Sequence, residues 1–203
     1  MDHDFDVWET EIAAYEAADR TSPPPKHAIL FTGSSTIALW QMLAQDFPEH
    51  QVINRGFGGS EPVDSTHFAG RIIFPYEPSA IFFYSGANAL AAGKSPAEVF
   101  ADVREFVETV HARLPETEIV FISLFATIDR WAMAEEFRAV NGLVKEYAEG
   151  RPGLTYLEAF DLTFGPDGKP RPELFAEDML HLNADGYELL AERVRPFLAA
   201  MRS

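Results

Sequence analysis

The 203-residue chain reads as an α/β protein, a three-layer α/β/α sandwich of flavodoxin-like form. A five-stranded parallel sheet of order 2-1-3-4-5 is predicted at its centre. Three observations lead there. Short apolar runs recur along the chain, of the length and purity expected of strands covered on both faces. Between them lie longer stretches with apolar residues at helical spacing. Each run ends in small, polar or glycine-rich residues, and strictly alternating strands and helices imply parallel pairing with right-handed crossovers. No internal repeat, low-complexity tract or linker interrupts residues 1–203, so one domain is expected.

Taken in order, residues 6–20 form an amphipathic helix with Val7, Trp8, Ile12 and Tyr15 on one side. The prolines of Ser22–Pro25 stop it. Ala28–Phe31 is the first strand. Thr32, Gly33, Ser34 and Ser35 turn the chain, and Ile37, Trp40, Met42 and Leu43 continue as a helix closed by Phe47 and Pro48. Gln51–Asn54 is a second strand, running into the loop RGFGGSEPVD. Residues 64–74 make a short helix, and Ser79–Tyr84 a third strand ending in the loop SGANAL. Ser95, Pro96 and Glu98 make a capping box with proline at the first helical position. The helix they open carries Val99, Val103, Phe106, Val107, Val110 and Leu114 on one face. Glu118–Leu124 is the fourth strand and leads into FATIDRW. A helix over 132–149 follows, with Phe137, Val140, Val144 and Tyr147 at helical spacing. Leu154–Leu157 is the fifth strand, and 159–176 is a Gly-, Pro- and Asp-rich loop. Asn183 caps a last helix that turns Tyr187, Leu190 and Val194 inward.

Composition narrows the functions available. Hydrophobic residues make up 47% and charged residues 24%, as in an ordinary globular core with a hydrated surface. The net charge of −16 repels phosphate backbones, so neither nucleic acid nor an anionic membrane surface is an expected partner. The chain has no cysteine, which excludes disulfides, zinc–thiolate sites and thiol catalysis. Its acidic start, MDHDFDVWETEIAAYEAADR, is no signal peptide, and no apolar run reaches the roughly 18 residues of a membrane span. A cytoplasmic location is expected. Oligomeric state leaves no mark in the sequence.

The turn after the first strand suits a nucleophile, because open α/β folds bind ligands at the carboxyl ends of their strands. A serine there also stands near the positive end of the helix that follows. The plainer role for such a serine is a helix N-cap. The glycines Gly56, Gly58 and Gly59 match neither GxGxxG nor GxxxxGK[ST], so that loop is either a plain turn or a close backbone approach. Asp178 and His181 lie three residues apart, a spacing that lets a carboxylate hold imidazole Nδ1 and leaves Nε2 for a serine. A serine hydroxyl needs such a base. Ser35 N–H, Gly59 N–H and the Asn88 amide are the donors available to a developing oxyanion.

These segments resemble those of the SGNH hydrolases, the GDSL-type esterases and lipases, over essentially the whole chain. GSS at 33–35 resembles the family's Gly-Asp-Ser block and points to Ser35 as nucleophile. VINRGFGGS resembles the second block and points to Gly59. SGAN resembles Gly-x-Asn-Asp and points to Asn88, and DMLHLN resembles Asp-x-x-His, giving Asp178 and His181. The resemblance implies a serine esterase that acts through an acyl-enzyme on Ser35, with Ser35, Gly59 and Asn88 as oxyanion hole. It implies a small-molecule ester as substrate and no cofactor; short loops with no evident lid insertion lean toward short-chain or acetyl groups, while acetylated sugars, lysophospholipids and thioesters stay open. Ser34 and Ala89 stand where the family usually has aspartate. Two other readings stay open: acyl transfer by the same residues, and a flavodoxin-like binding module without turnover. Asp178 and His181 as metal ligands would need two or three further ligands, and none has the spacing. The other histidines, at 3, 27, 50, 67 and 111, are scattered and read as structural or solvated. Trp40, Phe57, Phe125, Trp131, Met179 and Leu180 are candidate pocket residues, of which two or three are expected to meet substrate.

Overall fold

A computed structural model of the chain describes residues 3–201. Helices and strands follow in the order α1 (Glu9–Thr21), β1 (Ile29–Gly33), α2 (Ser35–Ala38), α3 (Leu43–Asp46), β2 (Val52–Gly56), α4 (Pro62–Ile72), β3 (Ala80–Tyr84), α5 (Ala87–Ala91), α6 (Pro96–Arg113), β4 (Glu118–Ile122), α7 (Ala134–Ala148), β5 (Leu154–Leu157) and α8 (Ala184–Ala200). The strands form one parallel sheet of order β2-β1-β3-β4-β5, the predicted arrangement. Both faces of the central strands are covered, which is why their sequences are apolar throughout rather than alternating. Phe31 stacks on Phe82 with ring centroids 4.7 Å apart, and Trp40 and Phe47 close over them. The neighbouring Phe83 points the other way and stacks on Phe106 of α6 at 3.9 Å.

Register matters more for the site than the layers do. Gly33 of β1 lies opposite Gly56 of β2 and Tyr84 of β3. Three strands therefore end on one line, and the turns at 34–35, 57–60 and 85–88 leave the sheet side by side. Gly33 has φ +122°, and a Cβ there would come within 2.0 Å of the Tyr84 carbonyl oxygen. Only glycine lets β1 run this close to β3 and turn immediately afterwards. Ser34 N–H then donates to that same carbonyl at 3.0 Å.

Three expectations need correction. The single helix expected after Ser35 is two short turns, α2 and α3, broken at Leu39–Met42. Ile37, Trp40 and Leu43 are all buried, so their spacing mimics one helical face although two turns supply it. Val7 is 61% exposed rather than part of the α1 packing face, because residues 6–8 form a separate 3₁₀ turn. Asn88 lies on a one-turn helix, α5, instead of an irregular loop. The capping box of α6 is present as read, with the Ser95 and Glu98 side chains meeting each other's backbone N–H. Asn183 caps α8 by accepting from Gly186 N–H.

Candidate active site

Ser35 is the first residue of α2, and its backbone N–H has no partner among the described residues. Neither it nor Ser34 caps the helix with its side chain, so the plain capping role is not taken up. Because α2 is a single turn, few peptide dipoles align behind Ser35, and any activation of its hydroxyl would have to come from a side chain. Ser35 Oγ lies 3.0 Å from His181 Nε2, across 146 residues of chain. His181 Nδ1 lies 2.6 Å from Asp178 Oδ2.

The Asp178–His181 loop is held by its own backbone. Asp178 Oδ1 accepts the N–H groups of Leu180 and His181, both at 3.0 Å. Met179 between them has φ +56°, and its carbonyl accepts Asp129 N–H at 3.0 Å from the loop after β4. The His181 side chain and the two backbone N–H groups pull the Asp178 carboxyl from its ordinary value near 3.8 down to about 2. An ionised carboxylate only accepts, so Nδ1 carries the proton and Nε2 accepts from the Ser35 hydroxyl. Asp178 is 49% exposed and His181 26%, so water shares the site with substrate.

The structure brings Ser35, Asn88 and His181 to one crevice, together with Tyr84, Phe125 and Leu180. Its volume is about 20 Å³, room for about one water molecule. Larger open grooves of up to about 630 Å³ include neither Ser35 nor His181 in their lining. Of the six candidate pocket residues, Phe125 and Leu180 line the crevice. Trp40 and Phe57 are fully buried core, and Trp131 and Met179 face solvent. Gly59 does not line the crevice; it lies in a left-handed turn, φ +79°, with an N–H that donates to nothing among the described residues. Ser60 fixes this turn by donating through Oγ to the Gly33 carbonyl at 3.2 Å and accepting from Asn88 Nδ2 at 3.1 Å.

Ser34 and Ala89, the positions that carry aspartate in most of the resembling blocks, are 4% and 0% exposed. A carboxylate at either place would have to be paired, and the small neutral residues here avoid that requirement. Arg130 was missed in the sequence. It lines the crevice and donates through Nη2 to Asn88 Oδ1 at 2.9 Å. The one signal for it was its place in FATIDRW, just past the carboxyl end of a strand. Among the described residues no group of three His, Asp or Glu side chains is arranged to hold a metal ion.

Fold and site together define a flavodoxin-like α/β protein that carries a serine–histidine pair at the switch point of a parallel sheet. The profile of the GDSL-like Lipase/Acylhydrolase family matches residues 24–189, and the chain belongs to that family, whose members are carboxylic ester hydrolases. Solved structures agree in fold over nearly the whole chain. A protein from Streptococcus pneumonia provisionally named a platelet activating factor superposes with TM-score 0.83 at 20% identity, covering 94% of this chain and 92% of its own. A GDSL-like lipase from Bacteroides thetaiotaomicron gives 0.76 at 14% identity, covering 97% and 98%. An acetyl-xylooligosaccharide esterase from Geobacillus stearmophilus gives 0.66 at 15% identity, covering 88% and 96%. At such identities the likeness is one of fold. No curated protein matches the chain. No described helix is long and apolar enough to cross a membrane.

Proposed function

We infer that the protein hydrolyses small esters, acetyl esters foremost, by a two-step route through an acyl-enzyme on Ser35. His181 Nε2 takes the hydroxyl proton as Ser35 Oγ attacks the ester carbonyl. Asp178 holds the ring in the required tautomer and stabilises the imidazolium. Negative charge collects on the carbonyl oxygen, which faces Ser35 N–H, Gly59 N–H and the Asn88 amide. His181 returns its proton to the departing alcohol. It then draws a proton from water, whose attack releases the acid.

The observation that carries this reading is the continuous chain of contacts from Asp178 through His181 to Ser35. The small crevice supports a short acyl group, and its aromatic lining favours a methyl over a charged tail. Family membership sets the binding-module reading aside. The test is hydrolysis of 4-nitrophenyl acetate, butyrate and octanoate by wild type and by Ser35→Ala. Wild-type rates should fall with chain length, and Ser35→Ala should lose about 10⁴-fold or more. Equal rates for the two proteins would remove Ser35 as nucleophile. Added acceptor alcohols, with the products analysed, separate hydrolysis from acyl transfer.

A further inference from the structure

We propose that Arg130 is a positioning residue for the oxyanion hole, acting through the Asn88 side chain. The inference rests on the esterase reading above. Asn88 meets two groups of opposite character: its Oδ1 receives the Arg130 guanidinium at 2.9 Å, and its Nδ2 donates to the Ser60 carbonyl at 3.1 Å. A guanidinium cannot accept and a carbonyl cannot donate, so the amide has one permitted orientation. One Nδ2 hydrogen is used on Ser60, and the second is left for the crevice that Asn88 shares with Ser35 and His181.

The cation does more than hold the amide. A positive charge on Oδ1 polarises the group and makes the remaining N–H a stronger donor to an oxyanion. Arg130 is available for this because it forms no ion pair among the described residues, in a chain with 32 acidic side chains. Its backbone is fixed as well, since Arg130 N–H donates to Thr127 Oγ1 at 3.2 Å. Asn88 also ties the Gly59 turn through Ser60, so one arginine orients the amide donor and steadies the neighbouring backbone donor.

The experiment is a double-mutant cycle on 4-nitrophenyl acetate, a neutral ester, with Arg130→Met, Arg130→Lys, Asn88→Ala and Asn88→Ala/Arg130→Met. Arg130→Met is expected to lower kcat about 10- to 100-fold with KM within about twofold, below the loss typical of deleting a donor outright. Arg130→Lys should recover part of that loss. In the Asn88→Ala background, Arg130→Met should change kcat by less than about twofold, because its route of action is gone. An equal loss in both backgrounds overturns the proposal. So does a rise in KM alone, which would mean that Arg130 reads the substrate directly. A second readout is independent of turnover: the Asn88 side-chain amide resonances in ¹⁵N spectra should shift in Arg130→Met, and unmoved resonances overturn the proposal. Wild-type protein that hydrolyses no ester in a Ser35-dependent way would defeat the esterase reading, while these resonances would still decide whether Arg130 holds Asn88.

Discussion

Gly33 is the residue on which the geometry of the Ser35 turn depends. A side chain there would collide with the Tyr84 backbone at 2.0 Å in a region of φ that other residues avoid. Gly33→Ala should destabilise the fold by about 3 kcal/mol or more and abolish esterase activity, as urea unfolding and nitrophenyl acetate assays would show. Asp178 makes a prediction in pH. Its carboxyl is depressed in the folded protein, so its stabilising contribution is complete above the ordinary value near 3.8 and disappears as pH falls toward about 2. Half exposure to water keeps that contribution small. Asp178→Asn should therefore lower kcat at neutral pH by about 10²- to 10⁴-fold, while its urea midpoint there stays close to wild type. The gap between the two midpoints should narrow further between pH 4 and pH 2.

At the scale of elements, side chains pin the strand ends that carry the site. Asn141 of α7, 4% exposed, accepts Leu124 N–H through Oδ1 and donates through Nδ2 to the Leu124 carbonyl, both at 2.8 Å. Leu124 lies at the start of the loop that brings in Phe125 and Arg130. Asn141→Ala would strand two buried backbone groups and should cost about 2–4 kcal/mol in chemical denaturation. It should also lower kcat at temperatures where the protein is still folded. What the sequence revealed and what it concealed also divide by element. The strands, α6 and α8 were legible, because burial on both faces and good caps each leave a local pattern. Ser35, Asp178 and His181 were legible as candidates through short blocks whose residue types the chemistry constrains, and their side chains meet in the structure. The break between α2 and α3 was concealed. Trp40 Nε1–H donates to Asp46 at 2.7 Å and Asn54 Nδ2 donates to the Ile37 carbonyl at 2.7 Å, and such tertiary partners have no periodic signature. Arg130 was concealed for a related reason: nothing local to a loop tells a solvated arginine from one that turns back onto an asparagine 42 residues earlier.

The molecule as a whole carries a net charge of −16, and only some of its cations are held in pairs with carboxylates, as Arg71 is with Glu9 and Glu16. Self-repulsion should dominate at low ionic strength, where charges feel one another across tens of ångströms. The thermal midpoint is expected to rise as NaCl increases from about 0.01 to about 0.3 M, as screening shortens that range to below about 10 Å. A falling midpoint would mean that the surface pairs outweigh the repulsion. One short contact has a wider reach than its size suggests. Asp129 N–H, one residue before Arg130, is clasped by the carbonyl of Met179, one residue after Asp178. The Asp178–His181 loop and the Arg130 loop thus share a hinge pin. Whatever displaces one of these loops strains the bond that ties it to the other.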